Sequence, residues 1–387
     1  MKVSKLDLRI ILLWIALFQF YLPNEKIYYV YQFAIACFIF IESLAEIRKR
    51  PNYLLILLYP LTIVISCIVN RNTILYTQVA RGFTNALLIA DVFLMIKRYE
   101  KKRGAKKLFG ILYSMSKLYA IMNILWIIVL LVTGNLQKAV LDEFLFSRGK
   151  FPTAYILLFY LMFFCTAWNG NHYFSKRWKK ALFIVQAIGC IGICVLIETS
   201  TGIIAIFAFL ILTLFGKRLI RIIENPFVIV GVMIGSMFLI FGLSAILKFP
   251  FVQNIIVNVL HEDLSLTGRM ELYTLLYPLV LKSGLWGGGF GSYVATTLAY
   301  HGWYNAQNGL AEIILTYGFV GGVTFLTLVF ISVVGAMNKN IILYLAIFVF
   351  IIVAVVEIPF NSGFILLLSL LQVQYDNKVD FIDWRER

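Results

Sequence analysis

The sequence predicts an all-helical polytopic membrane protein with about twelve transmembrane helices and one large external loop between the ninth and the tenth. Three observations carry this. First, 61% of the 387 residues are hydrophobic and only 14% are charged, against roughly 25% charged in an ordinary soluble domain. Second, the apolar runs are continuous, without the alternation of an outer-membrane barrel, and approach the roughly 20 residues that cross a bilayer. Third, Lys and Arg gather in short runs after every second apolar segment, as the positive-inside rule requires.

The expected spans are about 8–22, 27–45, 52–69, 74–96, 110–133, 151–168, 181–197, 201–216, 226–247, 309–334, 341–356 and 358–374. The first follows a basic start and lacks a small-x-small cleavage site before Pro23, so it reads as a retained helix. The stretch 181–216 is too long for one span, and Glu198 to Gly202 breaks it into a hairpin. Glu357-Ile358-Pro359 breaks the last pair in the same way. With the N-terminus in the cytoplasm, the basic runs at 47–50, 97–107, 176–180, 217–221 and 338–340 all fall inside. The outer connections are short except 134–150 and 248–308. Residues 269–283 of the latter are apolar enough to lie on or dip into the membrane. The chain reads as a single integral membrane domain, 1–387.

The net charge of +15 is explained by these runs, which excludes a nucleic-acid partner and leaves the lipid bilayer. Cys37, Cys67, Cys165, Cys190 and Cys194 lie in apolar segments without metal-site spacing, so they read as packing residues and no metal is expected.

The chemistry-bearing residues are few. Arg269, after Gly268, reads either as a cation snorkelling to the interface or as a phosphate ligand, since a guanidinium holds phosphate oxygens bidentately. Gly289 and Gly291 belong to a run that permits a tight turn or close approach of a ligand to the backbone. Arg81 lies inside the fourth span on one face with Gln78 and Asn85, where a charge requires a polar cavity or a partner. Arg148 and Lys150 place positive charge over the sixth span. His301 lies among Trp303, Tyr304, Asn305, Gln307 and Asn308, aromatics and amides of the kind that recognise sugars. For acid–base work His301 and Glu312 are among the outer candidates.

The segment TGRMELYTLLYPLVLKSGLWGGGFGSY, followed by AQNGLAEIILTYGFVGG, resembles the signature region of the O-antigen ligase and polymerase family of bacterial surface polysaccharide assembly. Gly268-Arg269, Gly289-Phe290-Gly291, Asn308, Gly318 and Gly321 stand in the family's order, over about 267–322. SRGKFPT at 147–153 is similar to the family's earlier outer segment. Where the ligases carry a His, this chain has Gln307, and Thr201 stands where an Arg is often found. The departure at Gln307 leans toward a polymerase and leaves His301 as the expected base, with Gln307 and Asn308 orienting a sugar and Glu312 the next candidate.

The resemblance implies a glycosyltransferase in the bacterial cytoplasmic membrane. Its donor would be an undecaprenyl-pyrophosphate-linked oligosaccharide and its acceptor another lipid-linked repeat unit, for capsule, exopolysaccharide or O-antigen. Arg269, Arg148 and Arg81 would hold the pyrophosphate, with no cofactor. A flippase and a chain-length regulator of the same pathway are the implied protein partners. A ligase with a different acceptor, and a transporter of lipid-linked sugars, are the competing readings.

Overall fold

In hydrocarbon a backbone must satisfy its own polar groups, and a helix does so within one segment. The computed structural model describes residues 4–22, 24–47, 53–169, 177–216, 219–242, 249–254, 269–292, 305–336 and 340–373. Among these residues the chain is all-helical and has no strand. In chain order the helices are α1 (Lys5–Leu17), α2 (Glu25–Ile47), α3 (Tyr53–Val69), α4 (Tyr76–Arg103), α5 (Ala105–Val132), α6 (Leu136–Leu141), α7 (Lys150–Asn169), α8 (Arg177–Leu196) and α9 (Ser200–Phe215). They continue with α10 (Ile220–Ile223), α11 (Pro226–Phe241), α12 (Pro250–Asn254), α13 (Arg269–Lys282), α14 (Gly309–Val334), α15 (Ile341–Val353) and α16 (Ser362–Leu371).

Five of these, α4, α5, α7, α8 and α14, are long and apolar enough to cross a membrane. Helices α4, α7 and α14 are mostly buried by their neighbours, whereas α5 and α8 leave most of their apolar surface open. That surface, with Leu118, Leu125 and Val129 on α5, is what lipid tails cover at no cost.

The bundle has two unlike ends. One carries the chain start and the α4–α5 turn, and ion pairs pin it. Arg9 pairs with Glu42, and Arg98 donates to the Glu42 carbonyl at 3.0 Å. Lys97 bridges Glu100 and the Gln372 carbonyl, at 2.5 and 3.1 Å. We call this the basic end. At its centre Asp7, just before the first apolar run, accepts from the Tyr99 hydroxyl at 2.6 Å and pairs with Lys107 at 3.2 Å. It also closes a capping box with Ser4 over α1.

Burial alone would raise the Asp7 carboxyl, but the bonds from Tyr99, Ser4 and Lys107 outweigh it and hold the group well below the usual carboxylate range. A depressed folded-state value means stability that is fully present above the unfolded value, about 3.9, and lost as pH falls through the folded one. Asp7→Asn is therefore expected to cost about 2 kcal/mol near neutrality, with the gap to the parent protein closing in strong acid. Unfolding in detergent across a pH series measures both.

The opposite end, the loop-rich end, carries the 133–149 connection and the 283–292 segment that follows α13. Here α14 is broken. Gly318 has φ 73° and ψ −172°, so the helix stops and restarts about 14 Å along its length. The glycine-rich segment fills the gap. Gly288 and Gly289 donate to the carbonyls of Leu315 and Thr316 at 3.0 and 2.9 Å. In return Phe319 and Val320 donate to the carbonyls of Gly284 and Leu285 at 3.1 and 3.2 Å. Helix α3 clamps the wedge, with Ser66 donating to the Trp286 carbonyl at 2.6 Å and Asn70 to that of Gly287 at 3.0 Å. Of the two roles expected for the glycines, a tight turn or close approach of a ligand, the fold shows the turn, packed against the chain's own backbone. Gly287, Gly289 and Gly291 have φ of 64°, 87° and 79°, and the turn needs residues without a Cβ.

The last hairpin is wider than the sequence predicts. Helix α15 stops at Val353 and α16 begins at Ser362, against expected limits near 356 and 358. Asn361 caps α16 by accepting from Gly363 at 2.9 Å, which sets the start beyond Pro359.

Candidate functional site

The loop-rich end gathers the end of α1, the start of α2, the 144–149 segment, the start of α14 and the 354–361 turn. Helix α2 is tied to α1 through Ala16, whose carbonyl accepts from Gln32 at 2.9 Å. Tyr21 donates its backbone N–H to the Phe146 carbonyl at 2.6 Å. Phe20 stacks on both Tyr31 and Phe146, with ring centroids 6.2 and 6.4 Å apart.

Asn123, a lone amide in the apolar run of α5, holds the segment after Phe146. It donates to Ser147 Oγ at 2.8 Å, and its Oδ1 accepts from Thr153 Oγ1 at 3.2 Å. Arg148 therefore projects from a fixed turn. Its own φ is 57°, a left-handed conformation, next to Gly149 at 129°. Non-glycine residues in that region mark strain, which folds retain mainly at functional sites. Arg148 lies within electrostatic reach of Tyr31. Lys150 is turned aside, donating to the Glu198 carbonyl at 3.3 Å.

Arg81 stacks its guanidinium on Tyr29, 3.6 Å from the ring centroid. On α4 it shares a face with Leu88, Val92 and Tyr99, which are all buried. It therefore faces the bundle interior. None of the ion pairs among the described residues involves it. Asp91, the carboxylate nearer Arg81 on the same helix, is fully buried with no donor on either oxygen among the described residues. The opposite face of α4 lines an apolar cavity of about 620 Å³ with α2 and α3, including Phe33, Cys37, Pro60 and Phe83.

Gln307 and Asn308, expected to orient a sugar, stand at the start of α14. Asn308 is its N-cap. It is fully buried, its Oδ1 caps Ala311 at 3.0 Å, and its Nδ2 donates to the Ala354 carbonyl at 2.9 Å. Both ends of the amide are spent on joining the helix start to the 354–361 turn. Gln307 is only 7% exposed. Its φ is 50°, and its side-chain and backbone N–H groups converge on Asn305 Oδ1 at 2.6 and 3.0 Å. It shapes the turn from within rather than presenting its amide outward.

Two carboxylates that the sequence left in the background come together here. Glu312 is buried, and its Oε2 accepts from the Ala306 N–H at 3.0 Å. Glu357, from the turn that Asn308 holds, lies within electrostatic reach of Glu312 and of Tyr155. Glu357 had read as a hairpin breaker, because its partners are distant in sequence.

Gly268, His301 and the side chain of Arg269 lie outside the described residues; Arg269 itself opens α13. Among the described residues no three His, Cys, Asp or Glu side chains group as metal ligands. No protein-family model, curated protein or solved structure matches the chain.

Proposed function

We propose that the chain polymerises lipid-linked oligosaccharide repeat units at the outer face of a bacterial cytoplasmic membrane. The observation that supports this most directly is the pair of arginines at the loop-rich end. Arg81 is stacked on Tyr29 of α2 and faces the bundle interior, and Arg148, on a strained turn, lies within electrostatic reach of Tyr31 of the same helix. A departing lipid pyrophosphate develops negative charge, and fixed guanidinium groups stabilise it without reorganising. The donor is already activated, so the protein need only bind, orient and deprotonate. Arg269 is the third member of this cationic set. The experiment is reconstitution of the purified protein with a lipid-linked repeat unit. A ladder of lengthening products is expected; transfer of a single unit to another acceptor, or none, overturns the proposal.

The twelve-span topology, with both termini in the cytoplasm and the loop-rich end outside, is part of this reading. In a cysteine-free background Arg103→Cys is expected to be closed to a membrane-impermeant thiol reagent added outside, and Ala295→Cys open to it. The reverse pattern would sink the topology and the external site with it.

The break in α14 bears on the transport reading. Transporters build substrate sites at discontinuous helices, where unwound backbone is free to bind. Here the break at Gly318 leaves little free, because the 284–289 segment takes the amides and carbonyls on both sides. That weakens the transport reading at the place where it would be strongest.

A further inference from the structure

We infer that Glu312 takes the proton from the acceptor hydroxyl, with Glu357 and Tyr155 as positioning residues behind it; this rests on the polymerase reading above. It fills the role that the sequence assigned to His301.

Four observations carry the inference. Glu312 is the fourth residue of α14, directly after the turn that stands in the signature region. Its carboxylate is oriented by a single bond, from the Ala306 N–H to Oε2; the other oxygen accepts none among the described residues. A base needs that arrangement, with one oxygen fixed and one available. No ion pair among the described residues reaches Glu312. Burying a carboxylate without a cation costs several kcal/mol, which capping one backbone N–H does not offset.

The fourth observation is Tyr155. It is 8% exposed, it lies within electrostatic reach of Glu357, and its hydroxyl has no hydrogen-bond partner among the described residues. A buried, unsatisfied phenol is expensive and marks a place for a hydroxyl-bearing ligand or a relayed proton. Tyr273, whose hydroxyl donates to the Gln307 carbonyl at 3.4 Å, closes the same turn from α13.

The step balances as follows. The acceptor oxygen forms its bond to the donor's anomeric carbon. The bond from that carbon to the pyrophosphate oxygen breaks, and its electron pair leaves with the lipid pyrophosphate. The hydroxyl proton passes to the available oxygen of Glu312 and is lost to water before the next turn.

Substitution by Gln separates this role from a structural one. A Gln side-chain oxygen accepts the Ala306 N–H as Glu does, but it cannot take a proton. In the reconstituted ladder assay with saturating donor, Glu312→Gln is expected to lower turnover by 100-fold or more. Donor binding and unfolding temperature should stay unchanged. Glu312→Ala should be as slow, and added formate should recover part of its rate, since a small carboxylate can stand in for a base but not for a packing contact. If the parent protein makes a ladder and Glu312→Gln matches it within threefold, the base is elsewhere while the polymerase reading stands. Loss of donor binding in Glu312→Gln, or no recovery with formate, also overturns the assignment. If the parent protein makes no ladder, the polymerase reading and this inference fall together.

Discussion

Gly287→Ala should leave little folded protein. A Cβ at this position would lie 2.5–2.6 Å from the backbone N of Gly318 and the carbonyl of Thr316. Those are backbone atoms at the break in α14, so no side chain can swing away to make room. Moving the wedge outward would lengthen the bonds from Gly288 and Gly289 to Leu315 and Thr316. The left-handed backbone adds roughly 1–2 kcal/mol, overpacking about 1–3, and each bond left unmade inside the membrane about 1–3 more. A total above roughly 4 kcal/mol is a large part of the stability of most proteins. Gly284→Ala is the control. Its φ is also positive, at 65°, but a Cβ there meets open space, so only the backbone term applies. Thermal unfolding and monodisperse yield in detergent should rank the parent protein, Gly284→Ala and Gly287→Ala in that order, with a wide second gap. Equal losses in the two variants would show that the wedge does not support the broken helix.

Arg269→Lys should abolish polymerisation nearly as completely as Arg269→Ala, with rates at least 100-fold below the parent protein. Lys keeps the charge but loses the planar fork that holds two phosphate oxygens at once. Removing one fixed donor to developing negative charge costs on the order of 10² to 10³ in rate. Arg148→Lys should behave alike, because the strained turn, locked by Asn123, Ser147 and Thr153, aims the guanidinium and cannot shift to re-aim an ammonium. Arg81→Lys should retain more, since an ammonium can also sit over the Tyr29 ring. The measurements are product length and initial rate at saturating donor. Full recovery with Lys at 269 would remove the pyrophosphate role.

How much of this was legible in the sequence depends on how local the signal is. Helix positions follow largely from the apolar runs, and the 197–199 break came out where expected. Helix α8 ends at Leu196 and α9 starts at Ser200, with Thr199 accepting from the Gly202 N–H at 3.3 Å. The break at Gly318 was not legible. One glycine in a long apolar run costs a helix only about 1 kcal/mol, so the pattern still reads as continuous. What opens the helix there is a segment some thirty residues upstream. Asn308 and Glu312 were visible as polar residues at a helix start. Whether such a group points at a ligand or at its own backbone depends on the 354–361 turn, which no periodicity predicts. Asn123 had a signal, a lone amide between Met122 and Ile124, but its partners Ser147 and Thr153 lie on a later loop and at the start of α7.

The interlock of residues 284–289 with the broken helix also bears on how the protein is made. Synthesis runs from the N-terminus, so these glycines leave the ribosome ahead of Leu315, Thr316, Phe319 and Val320. For that interval four of the backbone groups that will close the lock lack their final partners. Helix α3 has left the ribosome by then. Ser66 and Asn70 bind the carbonyls of Trp286 and Gly287, two groups that the later helix does not claim through its backbone. An early helix thus carries the receptor for a late loop, and it can hold that loop in register until its counterpart arrives. The two side chains act as an assembly guide as well as a contact in the finished fold.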